Sequence, residues 1–275
     1  MANKTLDGFF TSGGDIIKVK AIDNGDDTYS IATAKGTAGR SAQVEGQADN
    51  LPNGEGDVWQ GNKDSIPLPN PLGQQMEVFS SSANDTLLGA NAREVAIEYI
   101  DVDGYAQTEF LELNGTTAVQ TVATNIIMVN DFYVTKNGDG TFNNKTTADG
   151  DICICEIGDN SLMYNVIKAG GNKSLSTLRM IPKGTAYNID VVIVSGDTKG
   201  VTIIFRTNQS DTDVDTDGFL FRIPITIGDS PAPINMPTPI RIEEGRIFKA
   251  TAFTPQGSSG GTVSYLIGGR LDTIV

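Results

Sequence analysis

Asp211, Asp213, Asp215 and Asp217 stand on alternate residues in the stretch DTDVDTDG, closed by Gly218. Read from Asp213, the run matches the opening of a calcium-binding loop, where alternate oxygens and a following glycine let a short backbone wrap one cation. Such a loop ends on a bidentate Glu at its twelfth position, and here that position is Pro224. It also needs flanking helices, whereas VTIIFRTN before it and FLFRIPITI after it alternate with period two and predict strands. The run therefore reads as an acidic hairpin tip. Ca²⁺ gathered between mutually repelling carboxylates is the weaker alternative.

The remaining residue types narrow the chemistry. The chain has no histidine, the usual base of serine and cysteine triads and the commonest metal ligand. Cys153 and Cys155 alternate in DICICEIG, so a strand puts both on one face. Two small buried residues explain them better than a metal pair, and with no other cysteine there is no disulfide framework. KNGDGTFNN (136–144) and DNGDD (23–27) are first of all tight-turn signals, because Asn-Gly and Asp-Gly accept positive φ. The carboxylate pairs Glu109/Glu112 and Glu243/Glu244 resemble the acid/base pair of a glycosidase. Adjacent residues on a strand point to opposite faces, however, and any two of 34 acids can meet in space. No glycine-rich phosphate loop joins a strand to a helix, and no basic cluster is interleaved with aromatics. An enzyme is not expected.

The 275 residues are enough for one large or two modest domains with a real core. Twenty Lys and Arg against 34 Asp and Glu give a net charge of −14, which favours solubility and argues against nucleic acid as a partner. No apolar run approaches the roughly 18 residues of a membrane span, and MANKTLDGFFTSGGD lacks the apolar core of a signal peptide. A product made in the cytoplasm, neither exported by that route nor held in a membrane, is the expectation.

Almost every periodic segment has period two. REVAIEYIDVDG sets Val95, Ile97 and Tyr99 on one face, and strands of similar length recur to GGTVSYLIGG, separated by Asn-Gly, Asp-Gly, Gly-Gly or Pro. No amphipathic helix longer than two turns is evident. The pattern predicts an all-β protein of β-sandwich or jelly-roll-like domains, with few or no helices. Near the N-terminus, Ile17, Val19 and Ala21 face Tyr29, Ile31 and Thr33 across DNGDD as a hairpin. The segment 37–73, rich in Gly, Pro and Asn, shows little periodicity. It reads as an extended arm whose anchors are Trp59, Ile66 and Leu68, stiffened by Pro67, Pro69 and Pro71. Such an arm either grips a partner or folds back on its own body. The expected organisation is a hairpin and arm over 1–73, a first β domain over 74–174 and a jelly-roll-like sandwich over 175–275.

Between Gln75 and Gly269 several stretches resemble virion proteins of tailed bacteriophages, many of them marine: Ser80–Thr86 (SSSANDT), Ala92-Arg93, Leu113–Thr117 (LNGTT), Tyr133–Thr135 (YVT) and Gly150–Ile152 (GDI). IPKGTAYNID, GFLFRIPITI and PIRIEEGRIFKATAF resemble the continuation. The sequence departs from that pattern at NQSDTDVDTDG, where the family carries aromatic, glycine and basic residues, so a family contact through this loop does not carry over. The resemblance implies a non-enzymatic virion component: a decoration or cement protein on the outer capsid, contacting the major capsid protein and itself as a homotrimer. The alternative it leaves is a head-fibre, collar or tail-associated module recognising a host glycan or receptor.

Overall fold

The chain alternates branched or aromatic residues with polar ones between turn residues, and it folds accordingly into strands. The computed structural model describes residues 5–12, 15–23, 29–33, 40–49, 51, 55–61, 65–136, 138, 147–196, 201–208, 219–226, 232–253 and 262–274. Among these there is no helix, and every strand pairing is antiparallel. The all-β expectation holds.

Strands β1 (Thr5–Ser12), β2 (Asp15–Asp23) and β3 (Tyr29–Thr33) form a separate sheet. β2 and β3 make the expected hairpin, Val19 opposite Thr33 and Ala21 opposite Ile31. β1 is an addition to it, pairing along the other side of β2.

A first sandwich follows from β6 (Met76–Ser80), β7 (Glu94–Asp101), β8 (Ala106–Glu112), β9 (Val119–Gln120), β10 (Ile126–Lys136), β11 (Ile152–Glu156) and β12 (Asp159–Ile167), where β4 (Arg40–Ala48) and β5 (Glu55–Asp57) precede these in the chain. One sheet has the order β10-β7-β8 and the other β12-β11-β6-β9. Val95, Ile97, Tyr99 and Phe132 from the first meet Met76, Val78, Ile152 and Ile154 from the second in one core. Each such side chain contributes about 2 kcal/mol on leaving water. The β7–β8 turn is closed by Asp101, whose Oδ1 accepts from the amides of Asp103 (3.1 Å) and Tyr105 (2.9 Å). Gly104 sits at φ +86°, where a side chain would be strained.

The second sandwich is built from β13 (Arg179–Met180), β14 (Thr185–Gly196), β15 (Thr202–Asn208), β16 (Phe219–Thr226), β17 (Ala232–Ile242), β18 (Ile247–Phe253) and β19 (Val263–Thr273), completed by β4 and β5. Its sheets run β17-β14-β19-β4 and, with β5 and β13 sharing one edge of β18, β13-β18-β15-β16. With β4 and the β5/β13 position as first and second strands, this is the alternation of a jelly roll. β5 pairs with Thr251–Phe253 and β13 with Ile247–Phe248, so one strand position begins before the first sandwich and is finished after it. The whole first sandwich is looped out of the second at that point. Residues read in the sequence as part of an extended arm thus supply Val44, Ala48, Leu51 and Val58 to the second core. The boundary expected at residue 175 leaves these strands out.

Candidate functional site

Trp59, Ile66 and Leu68 define the first place where the structure gathers residues singled out in the sequence. Of the two alternatives for the arm, the described residues take the second and fold back on the body. Trp59 is 2% exposed and packs with Ile66, Ile100, Met128, Leu178 and Ile247, with Leu68 beside them. This third core lies in the seam, since Ile100 and Met128 belong to the first sandwich and Ile247 to the second. Pro69 is buried, Pro67 half-buried and Pro71 exposed. The strap is fastened at its start by carboxylates. Asp57 Oδ2 accepts from the Ile66 amide at 2.8 Å, and Asp57 Oδ1 pairs with Lys249 at 2.8 Å. Glu55 pairs with Arg206 at 2.6 Å and accepts from the Thr251 hydroxyl.

The acidic run Asp211, Asp213, Asp215 and Asp217 lies outside the described residues. The strands on either side of it, β15 and β16, pair with each other up to Asn208 opposite Phe219, as the sequence pattern predicts. Among the described residues no group of three or more Cys, Asp or Glu is placed to hold a metal.

A cleft of about 670 Å³ and mixed polarity opens between the outer face of the β10-β7-β8 sheet and the β4 side of the second sandwich. Its walls include Glu98, Gln107, Asn130, Asp131, Arg179 and Gln43. Asp131 is the hub: Oδ2 lies 3.1 Å from Lys173, and Oδ1 accepts from the Phe132 amide at 2.9 Å. Oδ1 also lies 3.9 Å from Nη2 of Arg179. Lys173 reaches Glu45 on β4 as well, at 3.8 Å, so one ammonium spans both sandwiches. The Arg179 side chain is buried, with Nη1 donating to the Leu178 carbonyl at 2.9 Å and Nη2 left without a hydrogen bond. Asn130 imitates a strand neighbour, donating to the Met180 carbonyl and accepting from the Met180 amide, both at 2.8 Å. Tyr133 donates to Glu98 at 3.1 Å, and burial followed by the Glu98 charge pushes its phenol above the ordinary value. The cleft therefore offers fixed donors and acceptors to a polar ligand. Its best-placed carboxylate is already committed to two cations and an amide, a poor position for a general base.

Four of the stretches that carry the family resemblance, 80–86, 92–93, 113–117 and 150–152, meet at one corner of the first sandwich. Asp85, fully buried, accepts at Oδ2 from Ser80 Oγ (2.6 Å) and the Gly150 amide (2.9 Å). Its Oδ1 accepts from the amides of Ala92 (3.2 Å) and Asp149 (2.9 Å), and its carbonyl from the Gly115 amide (2.8 Å). Four donors on one carboxylate satisfy its acceptor capacity without a counter-ion. Beside it, Ser82 and Asn84 donate to Asp149, and these bonds, the Ser82 one first, hold its carboxyl below the ordinary value. Tyr133–Thr135 lies elsewhere, on β10.

The cysteines are free and buried, as their alternation predicts. Burial pushes the Cys153 thiol up to about 11 and the Cys155 thiol up to about 12. The paired carboxylates do not face each other as an acid/base couple. Glu109 accepts from the amides of Val122 (2.6 Å) and Ala123 (3.0 Å), Glu243 pairs with Arg241 at 2.8 Å, and Glu244 accepts from the Gly184 amide.

No protein-family model and no curated protein matches the sequence. Neither the Asp131–Arg179–Lys173 cluster nor the Asp85 corner is a spaced motif. Their signals are weak: an Asp among serines and glycines at turn positions, and lone cations near strand ends.

Proposed function

We propose that the chain is a non-catalytic structural component of a tailed-bacteriophage virion, a decoration or cement protein that binds the outer face of the head shell as a homotrimer. The observation that carries this reading is the corner at Asp85. Four of the stretches on which the resemblance rests converge there on one residue: Ser80, Ala92 and Gly150 donate to the Asp85 carboxylate and Gly115 to its main-chain carbonyl. Residues that share one structural task argue that the resemblance is to a folded unit rather than to scattered turn signals. The jelly-roll connectivity of the second sandwich is in keeping with this, as fold-level analogy alone, since that fold recurs in capsids and in lectins. Closed symmetry is the common solution for placing one chain repeatedly on a shell.

Mass-spectrometric counting of chains in gradient-purified particles of the encoding phage tests the reading. Chains in intact heads at a fixed ratio to the major capsid protein, with the free protein at three times the 29.1 kDa of one chain, are expected. Absence from purified heads sinks it. The cleft, which sets polar groups beside Tyr99, Tyr187 and Phe248, supports one second reading, a fibre, collar or tail module that holds a host glycan there. Presence in tails and not heads, with glycan binding lost in Gln107→Ala, is its mark.

A further inference from the structure

A strand at the rim of a sheet presents main-chain N–H and C=O groups with nothing to bond, and proteins blunt such rims with proline, lysine, bulges or a covering segment. In the two sandwiches most other long rim strands carry such devices, while β1, the rim of the separate three-stranded sheet, has neither proline nor lysine and an unbroken register. β16 contains Pro224, and β17 contains Pro233, Pro237 and Pro239. The outer side of β10 is covered by residues 172–174, through bonds from Val134 to the Asn172 carbonyl and from Ser174 to the Phe132 carbonyl, both 2.8 Å. β4 donates one bond beyond its sheet, from the Gln47 amide to the Leu175 carbonyl at 3.4 Å. The pairing of β12 with β11 is irregular, with register shifts at Cys155.

β8 has none of this. Its sequence AQTEFLE contains neither proline nor lysine, and its register with β7 runs unbroken from Glu112 opposite Glu94 to Ala106 opposite Ile100. Among the described residues no main-chain bond leaves Ala106–Glu112 on the side away from β7. Phe110 on this strand is 61% exposed. The bond from its amide to Glu109 brings Val122, 86% exposed, alongside.

We propose that β8 is a docking edge that takes an extended polypeptide strand from a basic partner. The unpaired main-chain groups select a strand, because only another backbone matches their spacing. Charge selects a basic one. Alternation puts Ala106, Thr108, Phe110 and Glu112 on one face of β8, so a guest meets an aromatic ring and then a carboxylate. A second copy of this chain is disfavoured. An antiparallel β8–β8 pair centred on the strand sets Glu109 against Glu109, between molecules that each carry a charge of −14. The inference stands on β8 alone, whatever the particle or surface the protein serves.

The test uses the full chain and three labelled peptides followed by fluorescence anisotropy: alternating lysine and valine, alternating glutamate and valine, and the lysine peptide with its central amides N-methylated. The lysine peptide is expected to bind at least tenfold more tightly than either of the others. Its binding slows hydrogen exchange in β8, and Phe110→Lys weakens it at least tenfold. Phe110 is exposed, so an unchanged unfolding temperature shows that the variant is folded. Equal binding of the lysine peptide and its N-methylated form overturns the proposal, because charge alone is then at work. Unaltered binding by Phe110→Lys overturns it too. So does a peptide-free dimer that Phe110→Lys dissociates, which makes a second copy the occupant.

Discussion

The ammonium group of Lys249 lies 2.8 Å from Oδ1 of Asp57, a carboxylate almost wholly withdrawn from solvent. Asp57 starts the strap and Lys249 sits on β18, so the pair ties the seam cover to the second sandwich. Removing one partner of a buried pair leaves a charge that neither water nor protein compensates. Lys249→Met is expected to cost about 3 kcal/mol in urea unfolding, and Asp57→Leu combined with Lys249→Met to recover part of that loss.

Trp59 fills the seam under the strap, and a Cβ on Gly61 would fall 2.0 Å from its ring. Trp59→Ala is expected to cost about 3–5 kcal/mol through lost burial and the cavity left behind. As the chain's one tryptophan, Trp59 should also give native emission shifted to the blue and shielded from acrylamide. Native emission typical of water would contradict the packing.

Asp85 holds four donors that have no other partner of comparable quality. Asp85→Ala leaves three amides and a hydroxyl buried or half-buried without an acceptor, at an expected total cost of about 3 kcal/mol or more. Asp85→Asn restores the shape but keeps one acceptor oxygen and adds two donors, so it should rescue less than half. Thermal unfolding followed by circular dichroism measures both.

Asp149 gives the corner a pH dependence of predictable sign. Its folded-state carboxyl titrates below the ordinary value of 3.8, chiefly because Ser82 donates to the charged form. The folded state therefore binds its proton less readily than the unfolded chain does. Its stabilising effect is present in full above that ordinary value and is lost as pH falls toward the folded one. Asp149→Asn should flatten part of the decline of stability below that ordinary value. A decline identical to the parent's would remove Asp149 from the account.

Cys153 and Cys155 should be inert in the native protein. A thiol pushed up to about 11 is about one part in a thousand thiolate at pH 8. Ellman's reagent is expected to label neither cysteine before unfolding and both after it. Fast native labelling would show that β11 opens readily.

Much of the architecture can be read from period-two alternation, because which face of a strand is buried is a local matter. Val95, Ile97 and Tyr99 share a core as they share a face. The role of 37–73 is not local. Arg40–Ala48 has weak alternation and becomes a strand because β19, more than 200 residues later, has an edge to offer. Glu55–Asp57 has no strand signal of its own and borrows one from β18. Trp59 stands out in the sequence as an anchor, and the sequence does not say to what. The cleft was illegible for the same reason: Glu45, Asp131, Lys173 and Arg179 come from four separate segments, each ordinary in isolation.

The looped-out first sandwich also orders events during synthesis. Residues 40–57 leave the ribosome well before the strands they join, β18 and β19, which follow about 200 residues later. The first sandwich can close while they wait, since all seven of its strands lie between Met76 and Ile167. The second cannot be complete until β19 has been made, and the pairing that finishes it joins residues more than 200 positions apart, a slow kind of contact to form. The segment made earlier thus finds its place only once the later strands are made.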